Sequence, residues 1–136
     1  MRKWIKRILL IAAIVIVTAL MLLGYAYFIE PRRLVVTESE LRVPNFDPEL
    51  NGLKIVAISD IHAGSNHVTH EKLREIVAAA NQQNPDLILL LGDYVSQSDG
   101  THSPLVMPVN EIAENLKGFS ARYGIYGVIG NHDWWY

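Results

Sequence analysis

Lys54-Ile55-Val56-Ala57-Ile58-Ser59, followed at once by Asp60-Ile61-His62, is a short apolar run rich in β-branched residues that ends in a polar cluster. Such a run reads as a strand and the polar residues as the loop leaving it. The arrangement returns twice downstream. Asp86 to Leu91 is a second apolar run, ending at Gly92-Asp93, and Tyr123 to Ile129 is a third, ending at Gly130-Asn131-His132-Asp133. Between the first two runs, Leu73, Ile76, Val77 and Ala80 fall at helical spacing. Thr69 stands in the N-cap position and Asn84-Pro85 is the stop, so a helix is expected from about Thr69 to Gln82. Between the second and third runs, Ser96 to Ser103 reads as a polar loop and Val106 to Lys117 as a helix with Gly118 beyond its end. Residues 50–136 thus predict strand–helix–strand–helix–strand, an α/β arrangement with a parallel sheet covered on both faces. Ligands of such sheets bind beyond the carboxyl ends of the strands, where each polar cluster falls.

Upstream, Leu34, Val36, Leu41 and Val43 alternate imperfectly with Thr37, Glu38, Glu40 and Arg42. This pattern reads as a half-buried or edge strand within a linker spanning residues 30–49. Pro44-Asn45-Phe46-Asp47-Pro48 is a loop, and Asn51-Gly52 is a turn signal before the first run. Further back, no residue from Ile8 to Ile29 is charged. At about 1.5 Å per residue that helix is about 33 Å long, enough for a hydrocarbon core of about 30 Å. Residues 8–29 are therefore read as a transmembrane anchor, preceded by a basic segment at 1–7 that holds Arg2, Lys3, Lys6 and Arg7. Arg32, Arg33 and Arg42 follow the span. The positive-inside rule then places the N-terminus in the cytoplasm and the rest on the extracytoplasmic side of a cytoplasmic membrane, as a single-pass protein. A cleaved signal peptide is the competitor, but its apolar region is usually about 7–15 residues, and Gly24-Tyr25-Ala26 is a poor cleavage site. Trp4 at one end, with Tyr25 and Tyr27 at the other, suits the two membrane interfaces.

The whole chain carries 12 basic and 14 acidic residues and a formal charge of −2, with no basic footprint for nucleic acid. It has no cysteine, which excludes disulfides and thiolate chemistry. No G-x-G-x-x-G or G-x-x-x-x-G-K-[ST] follows any strand, which counts against a nucleotide-binding module. No G-x-S-x-G is present, which counts against a serine hydrolase.

Each polar cluster alone also reads as a turn after a strand. In an extended segment Asp60 and His62 point the same way and can reach one metal. Gly92 permits close backbone approach beside a carboxylate, Asp93, that is able to bridge two cations. Asn131 offers a neutral oxygen, His132 a ligand or proton donor, and Asp133 a group able to orient that imidazole. The combination decides. The clusters begin at positions 60, 93 and 131, and intervals of roughly 35 residues each fit one parallel crossover. His67, His70 and His102 read as surface positions and Asp47 and Asp99 as solvated loop residues. Trp134, Trp135 and Tyr136 read either as pocket lining or as packing for the third loop.

The ordered set D-x-H, G-D, G-N-H-[DE] resembles the calcineurin-like metallophosphoesterase family, and the anchor together with Leu53 to His62 resembles its bacterial membrane-associated branch. The resemblance covers about residues 50–136. It implies that Asp60 and His62 hold one metal, Asp93 bridges two, and Asn131 binds the second. It also implies that His132 contacts the phosphate and protonates the leaving oxygen, with Asp133 positioning its ring. The oxygen and imidazole donors suit Mn²⁺, Fe²⁺/³⁺ or Zn²⁺ better than Ca²⁺. The implied activity is hydrolysis of a phosphomonoester, phosphodiester or pyrophosphate bond. The anchor points to a phosphate ester substrate near the membrane, such as a lipid-linked one.

The family fold is a two-sheet sandwich flanked by helices. Its site also uses a single His and a Gly-His-x-His segment on later strands, and neither occurs in this sequence. The chain is therefore expected to be the N-terminal part of such a domain, with part of each metal site, and to bind metal poorly and hydrolyse little by itself. The alternative is a non-catalytic membrane protein with a vestigial phosphoesterase fold.

Overall fold

The computed structural model describes residues 2–65, 67–97 and 104–135. Asp99, His102 and Tyr136, named above, lie outside them. The chain divides into two compact units, Met1–Leu34 and Val35–Tyr136.

The first unit is helix α1, Arg2–Phe28, with no acidic residue in its first turn and no buried residue along its length. It is long and apolar enough to cross a membrane, and it lies near the N-terminus, as an anchor or a signal sequence does. Pro31 cannot continue the helix, and the chain leaves through a single 3₁₀ turn, Glu30–Arg32. The Arg33 guanidinium donates to the Tyr25 hydroxyl at 3.1 Å and pairs with Glu30 at 3.4 Å, and the tyrosine contact holds its pKa above the usual arginine value.

In the second unit three short strands form one parallel sheet in the order β1-β2-β3: β1 Ile55–Ile58, β2 Leu87–Leu90 and β3 Ile125–Gly127. Ile55 pairs with Leu87, and Ile88 with Ile125. Helix α2, His70–Gln82, joins β1 to β2, and helix α3, Val109–Leu116, joins β2 to β3. The Thr69 hydroxyl caps α2 by accepting from the Lys72 amide at 3.3 Å. Asn84, in the left-handed conformation at φ 48°, ends the turn that closes it.

The expected sheet covered on both faces is not what forms. A strand order that never reverses, combined with right-handed crossovers, puts both helices on one face. Val56, Ile58, Ile88 and Leu90 pack there against Val77, Ala80 and Phe119, with Ile88 fully buried. Ile55, Ala57 and Tyr126 are exposed. The helices meet in a polar seam where Asn115 accepts from Arg74 at 2.9 Å and His70 faces Glu111 at 3.3 Å. His70 is thus half-exposed at that seam.

Two further expectations are corrected. Leu34 to Val43 forms no strand. A strand must pair its N–H and C=O groups with a neighbouring strand, no strand pairs with this stretch among the described residues, and Val35, Val36, Leu41 and Val43 stand exposed. Helix α3 starts at Val109 rather than Val106. Pro108 disfavours a helical conformation at Met107. Met107 instead enters a second core cluster with Ile61, Ala63, Leu73, Val95 and Ile112, beneath the loops at the carboxyl ends of the strands.

Candidate metal centre

The loop leaving β1 does not run free. Asp60 N–H donates to Gly92 O at 3.2 Å, His62 N–H to Asp93 O at 2.9 Å and Ala63 N–H to Tyr94 O at 2.8 Å, and Ala63 pairs with Val95. The loops after β1 and β2 thus travel side by side beyond the sheet. This pairing requires sharp local turns, and Asp60, His62 and Asp93 all sit in the left-handed region, at φ 54°, 44° and 58°. Each such position costs on the order of 1 kcal/mol or more for a non-glycine residue and persists only where surrounding contacts over-determine it. The extended Asp60-Ile61-His62 expected from spacing is therefore replaced by two left-handed residues around buried Ile61. The two side chains still meet, with His62 Nε2 3.8 Å from Asp60 Oδ1. The Ser59 hydroxyl donates to the other Asp60 oxygen.

His62 Nδ1 lies 3.1 Å from Val95 O. A carbonyl oxygen can only accept, so Nδ1 carries a proton, and in the neutral imidazole Nε2 is the atom whose lone pair faces a ligand.

The loops after β2 and β3 touch backbone to backbone. A Cβ on Gly92 would lie 2.5 Å from Gly130 N, and a Cβ on Gly130 would collide with Asp93. Gly92 also has φ 95°, so glycine is needed there twice over. The close approach lets the His132 amide donate to Asp93 Oδ1 at 2.9 Å. His132 stands in the one-turn helix α4, Asn131–Trp134, which sequence reading treated as loop. Its ring packs edge-on against His62 at 4.8 Å between centroids and against Trp135 at 5.3 Å. Trp135 therefore touches the site while staying 39% exposed, and Trp134 is more exposed still, at 77%.

The result is a trio of donors. His62, Asp93 and His132 each bring one ligand atom within 4.8 Å of the others. Asp60 adjoins this trio through His62, and Asn131 opens α4 beside it, exposed. Two imidazoles and a carboxylate, part-buried on strained loops that no Cβ separates, fit a transition-metal cation of the Mn²⁺, Fe or Zn²⁺ kind.

Asp133 is placed differently from expectation. Its carboxylate meets four backbone amides, those of Asp93, Tyr94, Val95 and Gly130. No hydrogen bond joins it to the His132 ring among the described residues. Two further groups had no signal in the sequence. One is the Val95 carbonyl that orients His62. The other is the Tyr94 hydroxyl, which lies 3.1 Å from Leu90 O and 2.9 Å from Val128 O, spanning β2 and β3. Burial, then the Asp133 charge, pushes that hydroxyl's pKa up. Beside Tyr94 and Asp133 an apolar groove of about 350 Å³ runs along Val109, Ile112, Ala113 and Leu116.

The calcineurin-like phosphoesterase family matches residues 53–136. Among individual relatives, a transmembrane protein with metallophosphoesterase domain from Danio rerio is 32% identical over 92% of this chain and 26% of its own length. The uncharacterized metallophosphoesterase YkuE of Bacillus subtilis is 32% identical over 81% of this chain and 36% of its own. The UDP-2,3-diacylglucosamine pyrophosphatase LpxG of Chlamydia muridarum is 30% identical over 81% of this chain and 31% of its own. The chain thus spans about a quarter to a third of the length of these relatives. No solved structure matches it significantly. After the long apolar helix, the parallel sheet with its one-sided helices and the three loops make up part of the phosphoesterase α/β fold, and the chain belongs to the calcineurin-like phosphoesterase family.

Proposed function

We propose that this chain carries part of a membrane-anchored phosphoesterase whose two metal cations are Mn²⁺, Fe²⁺/³⁺ or Zn²⁺. The observation that carries the reading is the convergence of His62, Asp93 and His132 at the carboxyl ends of three parallel strands. Asp60 and His62 would hold one cation, Asn131 would serve the second, and Asp93 would be shared by both. When bound, the cations supply positive charge for the phosphoryl oxygens and a nucleophile at neutral pH. His62 enters with its tautomer already set by Val95 O. His132, steadied by its neighbours His62 and Trp135, protonates the departing oxygen. The bond broken is a phosphomonoester, phosphodiester or pyrophosphate. Helix α1 anchors the protein in a cytoplasmic membrane with the site on the extracytoplasmic side. The likeness to a pyrophosphatase of a diacylated sugar nucleotide favours a lipid-linked substrate at that surface.

The test is hydrolysis of bis(p-nitrophenyl) phosphate and p-nitrophenyl phosphate by the product of the whole reading frame, purified in detergent, chelated and reloaded with Mn²⁺. Turnover should need metal. His132→Ala should lower it by about 10²–10⁴, the range of a general acid, with metal content retained. Asp93→Ala should lose both. Metal lost from His132→Ala would make His132 a ligand instead, and no metal-dependent turnover in the unaltered protein would leave a non-catalytic membrane protein with a phosphoesterase fold.

A further inference from the structure

The Asp133 carboxylate is saturated. Its Oδ2 accepts from the amides of Asp93 at 2.7 Å and Gly130 at 2.9 Å, and its Oδ1 from those of Tyr94 at 2.8 Å and Val95 at 3.2 Å. An ionised carboxylate offers about four lone-pair sites, so none is left for an imidazole or a cation. Three of the four donors are consecutive residues of the loop after β2, beginning at Asp93 itself. The fourth is the N-cap residue of Asp133's own helical turn. Successive amides curled around an anion form a nest, and charge-assisted bonds of this kind are roughly twice as strong as neutral ones. The same loop presents its Asp93 carbonyl to His62 N–H and its Val95 carbonyl to the His62 ring.

We propose that Asp133 is a positioning residue for the loop of Asp93, acting as a fixed anion that shapes residues 93–95, and that it does not orient the ring of His132. Through those residues it sets Asp93 directly and His62 at one remove. The His132 ring is held by its edge contacts to His62 and Trp135. This role rests on the reading of Asp93 and His62 as metal ligands.

The experiment uses the ¹⁵N-labelled product of the whole reading frame in detergent micelles, followed by nuclear magnetic resonance with and without Mn²⁺. In the unaltered chain the amide protons of Asp93, Tyr94, Val95 and Gly130 should be shifted downfield and slow to exchange. Mn²⁺ should broaden Asp93 and His62. Asp133→Asn turns an NH₂ group against two of the four amides, so those shifts should be lost and Mn²⁺ affinity should fall at least tenfold, while the tautomer of the His132 imidazole stays the same. Asp133→Glu, which keeps the charge, should recover most of the affinity. It provides the same readout if the asparagine variant does not fold. A change confined to the His132 tautomer, with the four amides and Mn²⁺ affinity untouched, overturns the proposal. So does Mn²⁺ broadening that survives unchanged in Asp133→Asn, whereas no broadening in the unaltered chain overturns the metal reading beneath it.

Discussion

Helix α1 and the loop rim of the sheet dispose of their polar backbone in opposite ways. In α1 the interior N–H groups bond to carbonyls of the same helix, and its large side chains from Trp4 to Phe28 stand exposed. At the rim almost nothing is settled locally. Asp60, His62 and Ala63 donate to the next loop, and residues 93–95 donate to a carboxylate about forty positions away in sequence. The first region is specified by composition and a surrounding medium. The second is specified only once three strands have met. A region of the first kind tolerates almost any conservative change but no charge at its centre, and one of the second kind is sensitive to single atoms.

That contrast can be broken at its base first. Ile88 is fully buried between the sheet and its helices, and Ile88→Ala should cost about 2–5 kcal/mol, read as a lower denaturant midpoint of the globular unit. The helical signal of α1 should be unmoved in the same circular dichroism record. Conversely, Ile16→Lys places a charge near the centre of α1, at about 2.5–3.5 kcal/mol on insertion scales. It should move the chain from the membrane fraction to the soluble one while the denaturant midpoint of the globular unit holds. An equal loss of midpoint would erase the distinction between the regions.

A smaller effect sharpens the rim. Tyr94→Phe removes the hydroxyl between Leu90 O and Val128 O and should cost about 0.5–1.5 kcal/mol. It should also alter the alkaline limb. The folded pKa of Tyr94 is raised above the ordinary tyrosine value of about 10, so the neutral hydroxyl is the form the fold favours. The stability it contributes is complete below pH about 10 and is lost as pH rises through the folded value. The unaltered protein should therefore lose stability more steeply above pH about 10 than Tyr94→Phe does. Parallel curves would mean that the hydroxyl braces nothing.

Much of the scaffold was legible beforehand. Apolar runs at Lys54–Ser59, Asp86–Leu91 and Tyr123–Ile129 each became a strand, trimmed at its ends, and Thr69 capped α2 where a threonine should. Leu34–Val43 misled because alternation is only permission to pair, and among the described residues no strand lies alongside it. The expected helix over Val106–Lys117 is a few residues too long because the apolar spacing of Val106 and Met107 hides the bend that leads into Pro108. At the site, residue types and order were readable, but Asp133 was assigned to its chain neighbour His132 while its partners came from another loop.

What the sequence determined by itself is whatever depends on side-chain type and local spacing. That covers a helix able to span a membrane, three strands separated by helices, and the collection of carboxylate, amide and imidazole groups at their ends. Only the tertiary structure decided which face of the sheet was covered, that Asp60, His62 and Asp93 turn left-handed, and that four amides close on Asp133. Those outcomes depend on hydrogen bonds and contacts between residues tens of positions apart, whose energies exist only after the strands pair, and no local pattern encodes them.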